Sequence, residues 1–174
     1  MIQFFNQGFW HFLQAPSHIV VLFGLGLIIG QQGERAIYAG LSAFAVSVIA
    51  GLLLTQLVTI TWSPDIVLLG SAIIVGGMLA LRLDLPVWSV ALLVAVPGLL
   101  IGMDSKPVMI PGMKRSMVYA ALAGAALSTC FAVWLVALPS LLLRSVLNGI
   151  VLRVLGSWVT ASALMVLTLM FAPG

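Results

Sequence analysis

Two histidines, His11 and His18, are the chain's only imidazole groups, and both lie in GFWHFLQAPSHIVVLFGLG, residues 8–26. Imidazole nitrogen is a common ligand for divalent transition metals. On one unbroken helix the two rings would stand about 10 Å apart along the axis, too far for one ion with bonds of about 2 Å. Because Pro16 suits the first turn of a helix, a break before it would let the preceding residues fold back over the mouth of the next helix.

The same histidines have a second interpretation. Each has an apolar body and a polar tip, so rings beside Trp10 and Phe12 also fit a membrane–water interface without any ligand. The residues alone leave both interpretations open.

One carboxylate could bind the same metal ion as the two imidazole rings. Asp104 is one of four acids and ends an apolar run in PGLLIGMDSKP, residues 97–107. A count of the apolar runs places it on the same membrane face as the histidines, so His11, His18 and Asp104 are the candidate metal ligands. The alternative, favoured by the usual behaviour of charges at loop ends, is that Asp104 begins a solvated loop and pairs with Lys106.

The composition indicates what surrounds these residues. Of 174 residues, 63% are hydrophobic and 6% are charged, against roughly 25% charged in ordinary soluble domains. The sequence therefore predicts an all-α, polytopic transmembrane bundle of about six spans, with residues 1–174 forming a single integral membrane domain. The predicted spans are roughly 16–30, 37–60, 66–82, 86–103, 116–138 and 146–171.

Small residues spaced four apart share a helix face and allow helices to approach closely. The pairs Gly26 with Gly30, Gly98 with Gly102, and Ala120 with Gly124 have this spacing. We predict that these glycines lie at helix–helix contacts.

The distribution of basic residues indicates how the chain is oriented in the membrane. Six spans put both termini on one face, and the basic residues then divide as Arg35, Arg82 and Arg144 opposite the termini against Lys106, Lys114 and Arg115 beside them. Arg153 could snorkel toward the first group, which favours termini outside the cytoplasm.

Other function classes have little support. The bases are scattered, so we expect no nucleic-acid partner. No Ser-His-Asp or Cys-His set and no phosphate-binding glycine loop is present, so we expect no enzyme.

The segment GFWHFLQAPSHIVVLFGLGL resembles the first-span motif of the HupE/UreJ family, H-P-x-x-G-x-D-H followed by an apolar run. His11 takes the first histidine position and His18 the last. PGLLIGMD lies where the family has H-G-x-A-H-G-x-E, with Gly98 and Gly102 at its glycines and Asp104 at its glutamate. GGMLALRLDLP is similar to the family's third-span exit, so the resemblance extends along the chain.

The chain also departs from both motifs. Phe12, Ala15 and Ser17 replace the proline, the glycine and the aspartate of the first motif, and Pro97 and Ile101 occupy the histidine positions of the second.

The resemblance implies a bacterial inner-membrane protein of the hydrogenase- and urease-associated type, acting as a permease for Ni²⁺ or another divalent metal or as a metallocentre accessory protein. The alternative is a non-transporting membrane subunit or scaffold that packs against partner proteins or a second copy. The lipid bilayer is the expected surrounding in either case.

Overall fold

The computed structural model describes residues 2–10, 13–55, 57, 63–105 and 115–172. Over these ranges the chain is helical with no strand, which confirms the predicted all-α bundle. The helices are α1 (Ile2–Trp10), α2 (Pro16–Gln32), α3 (Glu34–Leu54), α4 (Asp65–Leu81), α5 (Val87–Asp104), α6 (Arg115–Leu143) and α7 (Ile150–Phe171), with a 3-10 turn at Val146–Gly149 before α7.

Helices α2 to α7 correspond in order to the six predicted spans. Four apolar helical segments have the length and composition to cross a membrane, namely α3, α5, α6 and Val146–Phe171. Helices α2 and α4 have 17 residues each, about 25 Å of helix, which is close to the hydrocarbon thickness of a bilayer.

Helix α6 runs further than predicted, through Pro139 to Leu143. The predicted span ends at residue 138, immediately before this proline. Proline removes only one backbone donor from a helix, and in the same turn the Ser140 hydroxyl donates to the Val136 carbonyl at 2.7 Å. The helix therefore continues past it.

Helix α2 is the central element of the bundle. Eleven of its seventeen residues are buried, including Leu25, Ile28 and Ile29 with no exposed surface, whereas α7 has four buried residues among twenty-two. This burial arises because α2 packs against each of the five helices that follow it, α3 to α7. Side chains at the start of α2 are therefore held at the centre of one end of the bundle.

The five glycines predicted to pack lie where helices touch: Gly26, Gly30, Gly98, Gly102 and Gly124. A side chain at Gly30 would collide with the Ala137 carbonyl oxygen on α6, and one at Gly102 with the Val48 carbonyl oxygen on α3. Residue numbers rise together across both contacts, so α2 runs parallel to α6 and α3 runs parallel to α5.

Helix α1 folds back beside α6. The chain turns before Pro16, which is the first residue of α2, and Ala15 ahead of it is extended. A side chain at Gly8 would collide with the Ala121 carbonyl oxygen, about two turns into α6. The segment was predicted to fold back over the mouth of α2; its described part is instead a helix that lies along α6, because Gly8 and Gly124 allow the two backbones to approach closely.

The two ends of the bundle carry different side chains. We call the end with Ser17, His18, Asp65 and Asp104 the acidic end, and the end with Arg35, Arg82, Arg144 and Arg153 the arginine end. The acidic end gathers the first residues of α2 and α4 and the last residue of α5.

Candidate functional site

The position of His18 follows from the way α2 begins. Pro16 has a fixed φ that suits the first helical position, and the backbone N–H of His18 donates to the Ala15 carbonyl at 3.1 Å. The imidazole is thereby fixed within the first turn of the most buried helix.

The His18 imidazole and the Asp104 carboxylate are in contact. His18 Nε2 lies 3.2 Å from Asp104 Oδ2, and the histidine side chain has 0% exposure while the aspartate side chain has 32%. The interfacial interpretation is therefore wrong for His18, because neighbouring helices enclose the ring completely.

Asp104 also differs from a solvated loop residue. It is the last residue of α5, and its partner in the described part of the chain is His18. Lys106, the partner expected for it, lies outside the described residues.

The distance between the two side chains is compatible with one bound ion. Nitrogen and oxygen ligands lie about 2.0 to 2.2 Å from a divalent metal, so two ligands at angles of about 90° to 110° are separated by about 2.8 to 3.6 Å. The observed 3.2 Å falls within this interval. An ion could bridge the two atoms with only a small adjustment of their separation.

A second contact joins neighbouring helices at the same end. The Ser17 hydroxyl donates to Asp65 Oδ1 at 2.5 Å, linking the start of α2 to the start of α4. Asp65 is half-buried and occupies the first turn of α4, where the helix dipole stabilises a negative charge. The acidic end thus holds two carboxylates.

Asp65 is not among the predicted ligands, because an acid that follows a proline, here Pro64, is ordinary in a turn. A signal for it was present: Asp65 opens a span that starts on the same face as α2, next to a helix whose Ser17 replaces an expected acid.

The third predicted ligand, His11, lies outside the described residues. Among the residues described, no three His, Cys, Asp or Glu side chains are grouped closely enough to hold one ion. Of the three predicted ligands, the described structure therefore brings together two, His18 and Asp104.

The sequence profile of the HupE / UreJ protein family matches residues 2–166, nearly the whole chain. The chain belongs to the HupE/UreJ family. No curated protein and no solved structure matches it. With its apolar helices of membrane-spanning length, this HupE/UreJ chain is an integral membrane protein.

The HupE/UreJ match includes every element of the acidic end. Deeper on α5, the positions that correspond to the second motif's histidines hold Pro97 and Ile101, and both are buried. These positions therefore face the interior of the bundle, and here they present apolar groups.

In the described part of this HupE/UreJ bundle, the buried serine and threonine hydroxyls donate hydrogen bonds. On α6, Ser128 and Thr129 both donate to the Ala125 carbonyl, at 3.0 and 2.9 Å. Such bonds to the preceding turn are usual for hydroxyl side chains in membrane helices. The polar side-chain contacts described between different helices lie at the ends of the bundle.

Proposed function

We propose that this HupE/UreJ protein is a permease for divalent metal, with Ni²⁺ as the leading cargo, and that it captures the ion at the acidic end. The observation that carries the proposal is the 3.2 Å contact between the buried His18 imidazole and the Asp104 carboxylate. These residues occupy positions where the family motifs have a histidine and an acid.

A small ligand set suits an ion that must leave again. A resident structural metal normally has four protein ligands, whereas a transported ion needs a site that binds it strongly enough to enter and weakly enough to depart. One imidazole and one carboxylate leave most coordination positions to water. The His18–Asp104 pair fits a capture site better than a permanent metal centre.

Each side chain at the acidic end has a role in the proposal. His18 supplies a nitrogen ligand, Asp104 supplies an oxygen ligand with negative charge, and Asp65 adds a second negative charge that attracts cations to this end. His11 remains the predicted third ligand. No catalytic step is part of the proposed function.

The arginines support an orientation. Among the described residues, four arginines occupy the arginine end and Arg115 begins α6 at the opposite end. By the positive-inside rule, we propose that the arginine end faces the cytoplasm of a bacterial cell and that capture takes place outside.

Metal binding by the purified full-length protein tests the capture site. We expect Ni²⁺ titrated in detergent to bind with a stoichiometry near one, and we expect His18→Ala or Asp104→Asn to weaken binding by at least tenfold. Glu34→Gln is the matched control, because it removes one acid from the arginine end. Equal affinity in all four proteins would overturn the proposal.

Measuring Ni²⁺ uptake by cells distinguishes a transport function from an accessory function. Cells that depend on an added nickel transporter should accumulate Ni²⁺ with the wild-type chain and lose this accumulation with Asp104→Asn at equal membrane abundance. Binding without uptake would favour the accessory function. Absence of both, in a folded protein, would favour the scaffold that packs against partners.

A further inference from the structure

We propose a second ligand site at the arginine end, which binds the phosphodiester of an anionic phospholipid, phosphatidylglycerol in particular. It is a cavity of about 630 Å³ between the α2–α3 junction, the start of α5 and the end of α6. Arg35 and Arg144 line it together with Glu34 and Ser145. This inference is independent of metal capture, since it concerns the opposite end of the bundle.

The four arginines of this end divide into two pairs. Arg82 Nη1 donates to the Asn148 carbonyl at 2.7 Å, and Arg153 Nε donates to the Ala80 carbonyl at 3.0 Å. Arg35 and Arg144 make no hydrogen bond or ion pair with the described part of the chain. Arg82 and Arg153 therefore bond to backbone carbonyls near helix ends, whereas Arg35 and Arg144 have their donors available to the cavity.

The exposed Arg144 side chain places its guanidinium over the α2–α3 junction, next to Gly33. Gly33 has a φ of 98°, a conformation that glycine adopts readily, and a side chain there would collide with Arg144 Nη1. The absence of a side chain at this position leaves room for the guanidinium. Its planar set of donors matches two phosphate oxygens at once.

The charges in the cavity suit a ligand with one negative charge. Glu34 is exposed and forms no ion pair with either arginine, so the lining carries two positive charges and one negative charge. One phosphodiester group would neutralise the excess. Phosphatidylglycerol has that charge and no ammonium group to be repelled by the arginines.

An apolar rim points to a lipid as the carrier of the phosphate. Val87, Leu141 and Leu142 line the same cavity, and Leu142 is 72% exposed. A basic pocket between transmembrane helices at a membrane face is a common place for an anionic lipid headgroup, whose glycerol and acyl chains need apolar neighbours. Free phosphate would gain nothing from these three side chains.

Native mass spectrometry of the detergent-purified full chain, with added phosphatidylglycerol, tests the site. We expect one tightly bound lipid, and at least a tenfold loss of affinity in the double variant Arg35→Gln, Arg144→Gln. The matched control is Arg82→Gln, Arg153→Gln, which removes the same charge from the same end and should bind as the wild type does. Equal losses in both double variants would overturn the proposal, because charge alone would then explain binding.

Two further measurements complete the test: one compares other sources of the phosphate group, and the other uses a variant for the case in which the glutamine variants do not fold. We expect phosphatidylcholine, phosphatidylethanolamine and inorganic phosphate each to bind at least tenfold more weakly than phosphatidylglycerol; equal binding of any of them would overturn the assignment. If the glutamine variants fail to fold, Arg144→Lys keeps the charge without the planar donors, and we expect about threefold weaker binding. Affinity unchanged in that folded variant would contradict the role of the guanidinium.

Discussion

The two ends of the bundle use polar groups in different ways. At the acidic end, side chains contact side chains across helices, as His18 with Asp104 and Ser17 with Asp65. At the arginine end, side chains bond to backbone groups. Gln32 Nε2 donates to the Leu83 carbonyl at 2.7 Å, and its Oε1 accepts from the Leu85 amide at 2.9 Å.

This difference separates polar contacts that a cation could share from polar contacts that complete the fold. Backbone groups at helix ends and turns need partners, so the bonds at the arginine end complete the fold. An imidazole and a carboxylate that contact each other can exchange that contact for a shared cation. The two ends should therefore respond differently to mutation and to metal.

Close helix packing should contribute equally to stability at both ends, and disrupting it should cause the largest loss of stability. Gly30→Val near the arginine end and Gly102→Val near the acidic end each force a side chain against a backbone carbonyl, and each should cost about 3 kcal/mol of stability. Thermal unfolding in detergent measures this. Gly77→Val is the control, since nothing lies within 4 Å of a side chain built there. Similar unfolding of all three variants would contradict the packing described.

Bound Ni²⁺ should stabilise the folded wild-type protein, and only by binding at the acidic end. Saturation with Ni²⁺ at about one hundred times its Kd should add about 2.7 kcal/mol to the stability of the folded protein. We expect Asp104→Asn to abolish this gain, whereas Gln32→Ala should retain it. A gain that survives Asp104→Asn in a thermal scan would place the bound ion elsewhere.

The two hydrogen bonds of Gln32 at the arginine end should contribute to the stability of the fold and leave metal binding unchanged. Gln32→Ala removes two hydrogen bonds that hold the α4–α5 connection to α2, and it should cost about 2 kcal/mol. The unfolding temperature, measured with and without Ni²⁺, should fall by the same amount in both conditions. A fall seen only with metal would remove the distinction between the ends.

The smallest effect should come from the contact between α2 and α4. Ser17→Ala removes the bond to Asp65 and should cost about 1 kcal/mol, because the acid is only half-buried. Ser17→Asp instead places two carboxylates together. That variant should unfold earlier than the wild type without metal and gain more from added Ni²⁺; identical responses would show that Asp65 does not influence the cation.

Much of the fold could be predicted because bilayer thickness sets the length of each apolar run. The six runs therefore match α2 to α7, and the count of spans placed His18 and Asp104 on one face. The rotation of each helix about its axis could not be predicted, since almost every face is apolar. That rotation buries His18 and brings Asp65 to Ser17, and it is set by packing at residues such as Gly30 and Gly102.

The position of α1 has a consequence for how the protein is made. A side chain at Gly124 would collide with the Phe5 carbonyl oxygen, so the first helix rests on one synthesised more than a hundred residues later. At about 5 to 20 residues per second, the ribosome needs on the order of ten seconds to supply that partner. During this interval α1 has no docking surface, so it reaches its final place only after α6 has been made.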